Sequence, residues 1–324
     1  MKDFIRRNVQ MLWLVIFYLV IIIIFSSKTT RFATISNSIN ILDSASVLGI
    51  IAMGQLFTII AGGIDLSVSG IAPLSAVIFV KLANNGLSGI EAGAVAILVG
   101  LAVGAVNGFL VSRLSVMPMI ATLATLSVTG GLAYIVTDGT TLLLNDISIA
   151  WLSARSMGIP RHAILFVILA LITFVILKFT TYGRALYAVG GSQEAGRLAG
   201  IRVTAMLNSV YIISGVLAGL AGIILASQMM AGSATLGSTL NMDSVTAVVL
   251  GGGSLTGGAG SVLGSVIGVL ILGTLTNGMS VMQIQTFYQE VVTGIILLIA
   301  VNFDNILSIP SRLQALKNHA KKRK

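Results

Sequence analysis

The sequence predicts an all-α integral membrane protein with about ten transmembrane helices. Three observations predict it. The 324 residues are 56% hydrophobic and only 9% charged, with a mean hydropathy of +1.02. A soluble domain carries about 25% charged residues, so this chain cannot cover a soluble surface of its own size. The apolar residues fall into separate runs, most of them near the ~20 residues that a spanning helix needs. Threaded alternately through a bilayer, those runs place most of the basic residues on one side.

In chain order the long runs are 9–25, 39–61, 91–112, 118–137, 163–179, 207–230, 262–279 and 291–303. The first follows Lys2, Arg6 and Arg7, as a signal peptide would, but Ser26-Ser27-Lys28-Thr29-Thr30 comes next and offers no small-residue cleavage site. It is therefore expected to be an uncleaved helix. Two shorter, glycine-interrupted runs, 66–83 and 243–255, complete the set. With an inner N-terminus, fourteen basic residues lie inside and five (Lys28, Arg31, Lys81, Arg155 and Arg161) outside. An odd span count would strand either the N-terminal cluster or the C-terminal one, which includes Arg312, Lys317, Lys321, Lys322, Arg323 and Lys324, on the outer face.

The longest stretches between spans are about 25 residues, below the size of an independent domain. The chain therefore reads as one transmembrane domain, 1–324, with an inner N-terminus (1–8), an inner polar segment (180–205) and a basic inner tail (306–324). The two short runs each follow a long span and precede two more. Spans 2–5 and 7–10 are thus candidate inverted repeats of the kind transporters use.

Several chemistries are excluded. Without cysteine there are no disulfides or thiolate sites. His162 and His319 are too far apart for a HExxH zinc site, and no metal or cofactor is expected. The basic tail has no interleaved aromatics, which argues for a topology signal beside anionic lipid rather than nucleic-acid binding. The glycine-rich segment 251–261 lacks the lysine of a Walker A loop, since no lysine lies between Lys178 and Lys317. His162 has no identifiable acid partner or nucleophile elbow, so no catalytic residues are assigned.

Four groups of residues remain. Gly62 and Gly63 allow a turn between the second and third spans, where Asp65 with Ser67 resembles a helix start. Asp65, or Asp243 at the other short run, is also the carboxylate that an ion-coupled secondary transporter would use. Gly100, Gly104 and Gly108, Gly215 and Gly219, and Gly260, Gly264 and Gly268 form small-residue faces for close helix packing. The segment 192–201 encodes a short inner helix: Ser192 can cap it, Glu194 suits its first turn and Gly200 can end it, with Arg197 between. Asn107, Thr122, Thr125, Gln228 and Asn241 are amides and hydroxyls in or beside spans that suit a solute pathway.

Together, GGIDLSVS (62–69), YGRALYAVGGSQEAGRLAGI (182–201), MDSVTAVVLGGGSLTGG (242–258) and GSVIGVLILGTLTNG (264–278) resemble the ribose-type permeases of bacterial ABC sugar importers. The likeness runs from about residue 39 to 305. Branched-chain amino-acid permeases, which lack the GGIDLS-type turn, are less similar. The resemblance implies a vitamin-B12-permease-like fold in the bacterial inner membrane, with both termini cytoplasmic. It implies a dimer of permease subunits on cytoplasmic ABC ATPase subunits, and a periplasmic sugar-binding protein outside. It also implies that Ser192, Glu194, Ala195, Arg197 and Gly200 belong to a coupling helix seated on the ATPase. Gly196 stands where the EAA loop of other ABC importers has a second alanine.

Overall fold

The computed structural model describes residues 2–299 apart from 147, 148, 150, 152 and 157, with side chains from Met11 on. The basic tail 306–324 and the end of the 291–303 run lie outside the described residues. The helices are α1 (Lys2–Lys28), α2 (Ile35–Ile60), α3 (Val68–Asn84), α4 (Gly89–Ser112), α5 (Pro118–Thr137), α6 (Arg161–Phe179), α7 (Thr181–Gly191), α8 (Gln193–Leu198), α9 (Val203–Met229), α10 (Leu240–Leu250) and α11 (Val262–Val281), followed by α12 (Thr286–Ile299). Seven of them, α1, α2, α4, α5, α6, α9 and α11, are long and apolar enough to cross a membrane; α3, α10 and α12 are shorter apolar helices. The chain is an all-α, multi-pass membrane protein.

Apolar sequence alone does not say which helices are central, because lipid and protein interior both accept it. The packing does. Inside the protein, 89% of the apolar window of α2 is buried, against 17% for α1, 22% for α5 and 28% for α4 and α6. The main core joins α2 with the buried faces of α9, α10 and α11, and Val68 and Ile71 of α3 belong to it. Small residues make this possible. A Cβ on Gly100 or Gly104 of α4 would strike the backbone of α9 at Gly215 or Tyr211, and one on Gly264 or Gly268 of α11 would strike α10 at Gly251 or Ala247. These are the small-residue faces expected from the sequence, used for helix packing.

Two ends of the bundle differ. At one, the strand end, β1 (Leu142–Leu143) pairs antiparallel with β4 (Ala231–Gly232), and β2 (Arg155–Ser156) pairs with β3 (Ile159–Pro160). At the other lie the α2–α3 turn, α7, α8 and the loop 251–261. The polar segment 180–205 is more helical than expected: beside the short α8 it contains α7, an 11-residue helix that Thr180 caps by accepting the Gly183 N–H at 3.2 Å. The mixed polarity of TYGRALYAVGG concealed it.

The short run 243–255 is also corrected. Its helix starts three residues earlier, at Leu240, and ends at Leu250, because Gly252 takes a φ of +91° and the Gly252 and Gly253 N–H groups fold back on Val249 and Val248. Its 11 residues reach about 16 Å, roughly half of a ~30 Å hydrocarbon core. Between α9 and α10 lie β4 and the turns of 234–239, with Gly232 close against Ala76 and Val77 of α3.

Gly104→Val should force α4 and α9 apart and destabilise the bundle by about 1–3 kcal/mol. Gly131→Ala, where nothing lies within 4 Å, should be nearly neutral. Reversible unfolding in bicelles checks both.

Candidate functional site

The first feature is the turn between α2 and α3. Gly62, at φ +83°, ends α2; its N–H bonds Ile59 O at 3.0 Å and the Gly63 N–H bonds Thr58 O at 2.9 Å. That paired closure needs a left-handed residue, for which glycine is the unstrained choice. The chain then passes inward and leaves Asp65 fully buried. Asp65 Oδ1 accepts the Ser67 N–H at 3.0 Å and the Ser67 hydroxyl. Asn107 of α4 donates to Ser67 Oγ at 2.8 Å, and Thr125 of α5 donates to Asn107 Oδ1 at 2.7 Å. Thr122 donates to Ile64 O at 3.3 Å. With its amide turned to fit the network, Gln55 brackets the Asp65 peptide, donating to its C=O at 3.0 Å and accepting its N–H at 3.2 Å. Asp65 Oδ2 and the hydroxyls of Tyr211 and Ser214 are buried without a hydrogen-bond partner among the described residues.

Directly against this turn lies a junction made of backbone. The Gly258 N–H donates to Ile60 O, the last residue of α2, at 2.9 Å. A Cβ on Gly190 of α7 would collide with Ile60 O, and one on Gly257 would collide with Gly190 O and Gly62. Tyr187 of α7 donates to Gly260 O at 2.9 Å. Three chain segments thus touch without side chains between them, which only glycine permits.

From this junction α7 leads to α8. Ser192 Oγ accepts the Ala195 N–H at 3.2 Å, Glu194 sits in the first turn and Arg197 in the last. Gly200, at φ +78°, closes the helix, with its N–H on Arg197 O and the Ile201 N–H on Gly196 O, both at 3.0 Å. Every α8 side chain is exposed and Leu198 is 86% so; only Gly196 is buried. A Cβ there would come within 3.2 Å of Val189 Cγ2, a packing reason for glycine in place of the second alanine.

The starts of α3 and α10 meet inside the protein. Ser69 of α3 accepts the Asn241 N–H of α10 at 2.7 Å, and Thr239 donates to the Asp243 carboxylate at 2.8 Å. A cavity of about 590 Å³ opens above this crossing toward the strand end. It is lined by Asp43 and Ser44 of α2, Gln228 of α9, Arg155 and Thr239, with apolar walls that include Val47 and Leu225. His162, which lies not in a loop but buried in the first turn of α6, bonds Asp43 Oδ1 through Nε2; Gln228 donates to the same oxygen at 3.0 Å.

The structure therefore gathers Gly62, Gly63, Asp65, Ser67, Asn107, Thr122 and Thr125 at one buried turn. It places Asn241 and Asp243 at the helix crossing, Gln228 in the cavity, and Ser192, Glu194, Ala195, Arg197 and Gly200 at the surface. Sequence reasoning missed Gln55, Ser69, Tyr211 and Ser214, which look like ordinary residues of apolar spans. It also missed Asp43 and its pairing with His162. An ionisable residue inside an apolar run was the available signal for Asp43.

A multi-pass bundle with interrupted interior helices and a capped surface helix is the architecture of a transport permease. The chain belongs to the branched-chain amino acid transport system / permease component family, whose model matches residues 37–301. It is 38% identical to the ribose import permease protein RbsC of Bacillus subtilis (strain 168) over 288 residues, 88% of this chain and 89% of that one. It is 35% identical to the D-allose transport system permease protein AlsC of Escherichia coli (strain K12) over 292 residues, covering 89% and 90%. With the L-arabinose transport system permease protein AraH of the same strain it shares 37% over 278 residues, covering 85% and 84%. No solved structure matches the chain.

Asn107→Leu breaks the bridge from Ser67 to Thr125 and should cost about 1–3 kcal/mol by stranding buried polar groups. Ser127→Ala, an exposed hydroxyl bonded only within its own helix, should change stability by less than about 0.5 kcal/mol. Thermal unfolding in detergent distinguishes the two.

Proposed function

We propose that the chain is the permease subunit of an ATP-binding-cassette importer and forms the translocation pathway for a ribose-like monosaccharide. The observation that carries this reading is α8, an exposed helix tied through α7 to the backbone junction beneath the Asp65 turn. It gives a partner outside the bundle a mechanical hold on the interior. The names of the relatives (ribose, D-allose and L-arabinose permeases) support the substrate class.

In this reading the strand end faces the periplasm and receives a sugar-binding protein. The α7–α8 end and both termini are cytoplasmic, in accord with the distribution of basic residues. α3, α10 and α12 join the seven long helices as spans, giving ten in a single transmembrane domain with a vitamin-B12-permease-like fold. Spans 2–5 and 7–10 are inverted repeats, which accords with α3 and α10 meeting start to start. Two permease subunits sit in the bacterial inner membrane on two ABC ATPase subunits, with Ser192, Glu194, Ala195, Arg197 and Gly200 in the contact.

The permease supplies no covalent chemistry. ATP-driven closure of the partner favours one arrangement of α7 and α8, and docking of the loaded binding protein favours the other. Couplings of this kind amount to about 1–3 kcal/mol. A glycine junction passes such a bias from α7 to the α2–α3 turn.

Glu194→Arg, or Gly200→Val at its left-handed position, should leave the permease folded but lower sugar uptake at least about tenfold, since 1.4 kcal/mol of lost coupling is a factor of ten. Less ATPase should co-purify in mild detergent. Unchanged sugar-dependent uptake in both variants would remove α8 from the coupling role. Transport by the purified chain alone under an ion gradient would replace the importer reading with an ion-coupled one.

A further inference from the structure

The cavity at the strand end is not accounted for by coupling or by packing. Its volume of about 590 Å³ lies within the ~300–1,000 Å³ of small-molecule sites. Asp43 is the residue that needs explaining, because a carboxylate on a central apolar helix is costly unless it is held and used. Its Oδ1 is engaged by His162 and by Gln228, from two other helices. His162 is 1% exposed, whereas Asp43 keeps 35% of its side chain open to the cavity. That exposed part of the carboxylate is an acceptor within reach of a ligand in the cavity.

The lining also restricts the ligand. Arg155 contributes one positive charge and Asp43 one negative, so neither an anion nor a cation meets a one-sign surface. Ser44, Gln228 and Thr239 add groups that both donate and accept, and Leu225 offers an apolar wall. A small neutral polyol presents the matching set: hydroxyls that donate to a carboxylate and accept from an amide, and C–H faces for leucine. Thr239 and Leu240 bring the start of α10 to the cavity wall.

We infer that this cavity is a low-affinity monosaccharide site within the permease itself, in which Asp43 and Gln228 hold the sugar hydroxyls beside the start of α10. The inference rests on the importer reading and deepens it: specificity is read a second time, after release from the binding protein. Low affinity suits a station on a pathway, because a tightly held sugar would not leave.

Saturation-transfer difference NMR on the permease–ATPase complex in nanodiscs, without the binding protein, tests it with D-ribose, D-allose and L-arabinose. Millimolar binding of at least one sugar is expected. Asp43→Asn and Gln228→Ala should each weaken it about tenfold, and Asp138→Asn in the α5 C-cap should not. Ser44→Leu fills the cavity while leaving the hydrogen bonds of Asp43 intact, and should also abolish the signal. It keeps the test informative if an Asp43 variant misfolds.

Binding-protein-stimulated ATPase turnover of the complete complex with the same sugars separates the two levels. Turnover with sugar, but no sugar signal from the permease or an unchanged signal in all three cavity variants, would overturn the site and leave the importer standing. No turnover with any monosaccharide would overturn both.

Discussion

A backbone amide inside a hydrocarbon layer has no water to bond, and each one left unpaired costs several kcal/mol. Unbroken helices meet that requirement automatically. This chain breaks its helices inside the bundle, and much of its buried polar chemistry lies where the breaks are. Gln55 brackets the Asp65 peptide, Ser69 takes the free N–H of Asn241 at the start of α10, and the Gly258 N–H completes Ile60 at the end of α2. Asp65 itself acts first as an acceptor for the Ser67 N–H. Asn107 and Thr125 extend the same network onto α4 and α5. The glycines follow from the same requirement, since backbone can pair with backbone across segments only where no Cβ intervenes.

The molecule is therefore mechanically uneven. α4 and α9 are joined by a long stripe of small residues, with Gly100 and Gly104 set against the α9 backbone. Close-packed contacts of this kind repack poorly and resist partial displacement. The junction of Ile60, Gly190 and Gly258 is smaller: backbone meets backbone there too, and the Gly258–Ile60 and Tyr187–Gly260 hydrogen bonds close it. α8 reaches the junction through α7, and the cavity reaches the far side of the same interior through Thr239 and the α3–α10 crossing. The surface helix and the cavity thus lie at opposite ends of one region of interrupted backbone, and the rigid α4–α9 pair stands beside it.

How much of this was legible beforehand follows from which forces leave a local trace. The long apolar helices were readable because hydrocarbon imposes length and composition on each span independently. Ser192 and Gly200 were readable because capping is local chemistry within about ten residues. α7 was hidden because its polarity is mixed: it buries only Gly183, Leu186 and Val189. The network around Asp65 was hidden for a different reason. A GGIDLS turn between spans has the composition of a surface turn, and only the third dimension brings Gln55, Asn107 and Thr122 around it. The Asp43–His162 pair spans 119 positions and has no local signature beyond a charge in an apolar run.

The chemistry of the breaks also sets how α7 is held at the junction. Gly190 of α7 lies against Ile60 O, which already accepts the Gly258 N–H, and Tyr187 of the same helix holds Gly260 O. Side-chain packing at the same place would hold with many small contacts; glycine lets the backbones close directly, so the hold rests on a few directional bonds.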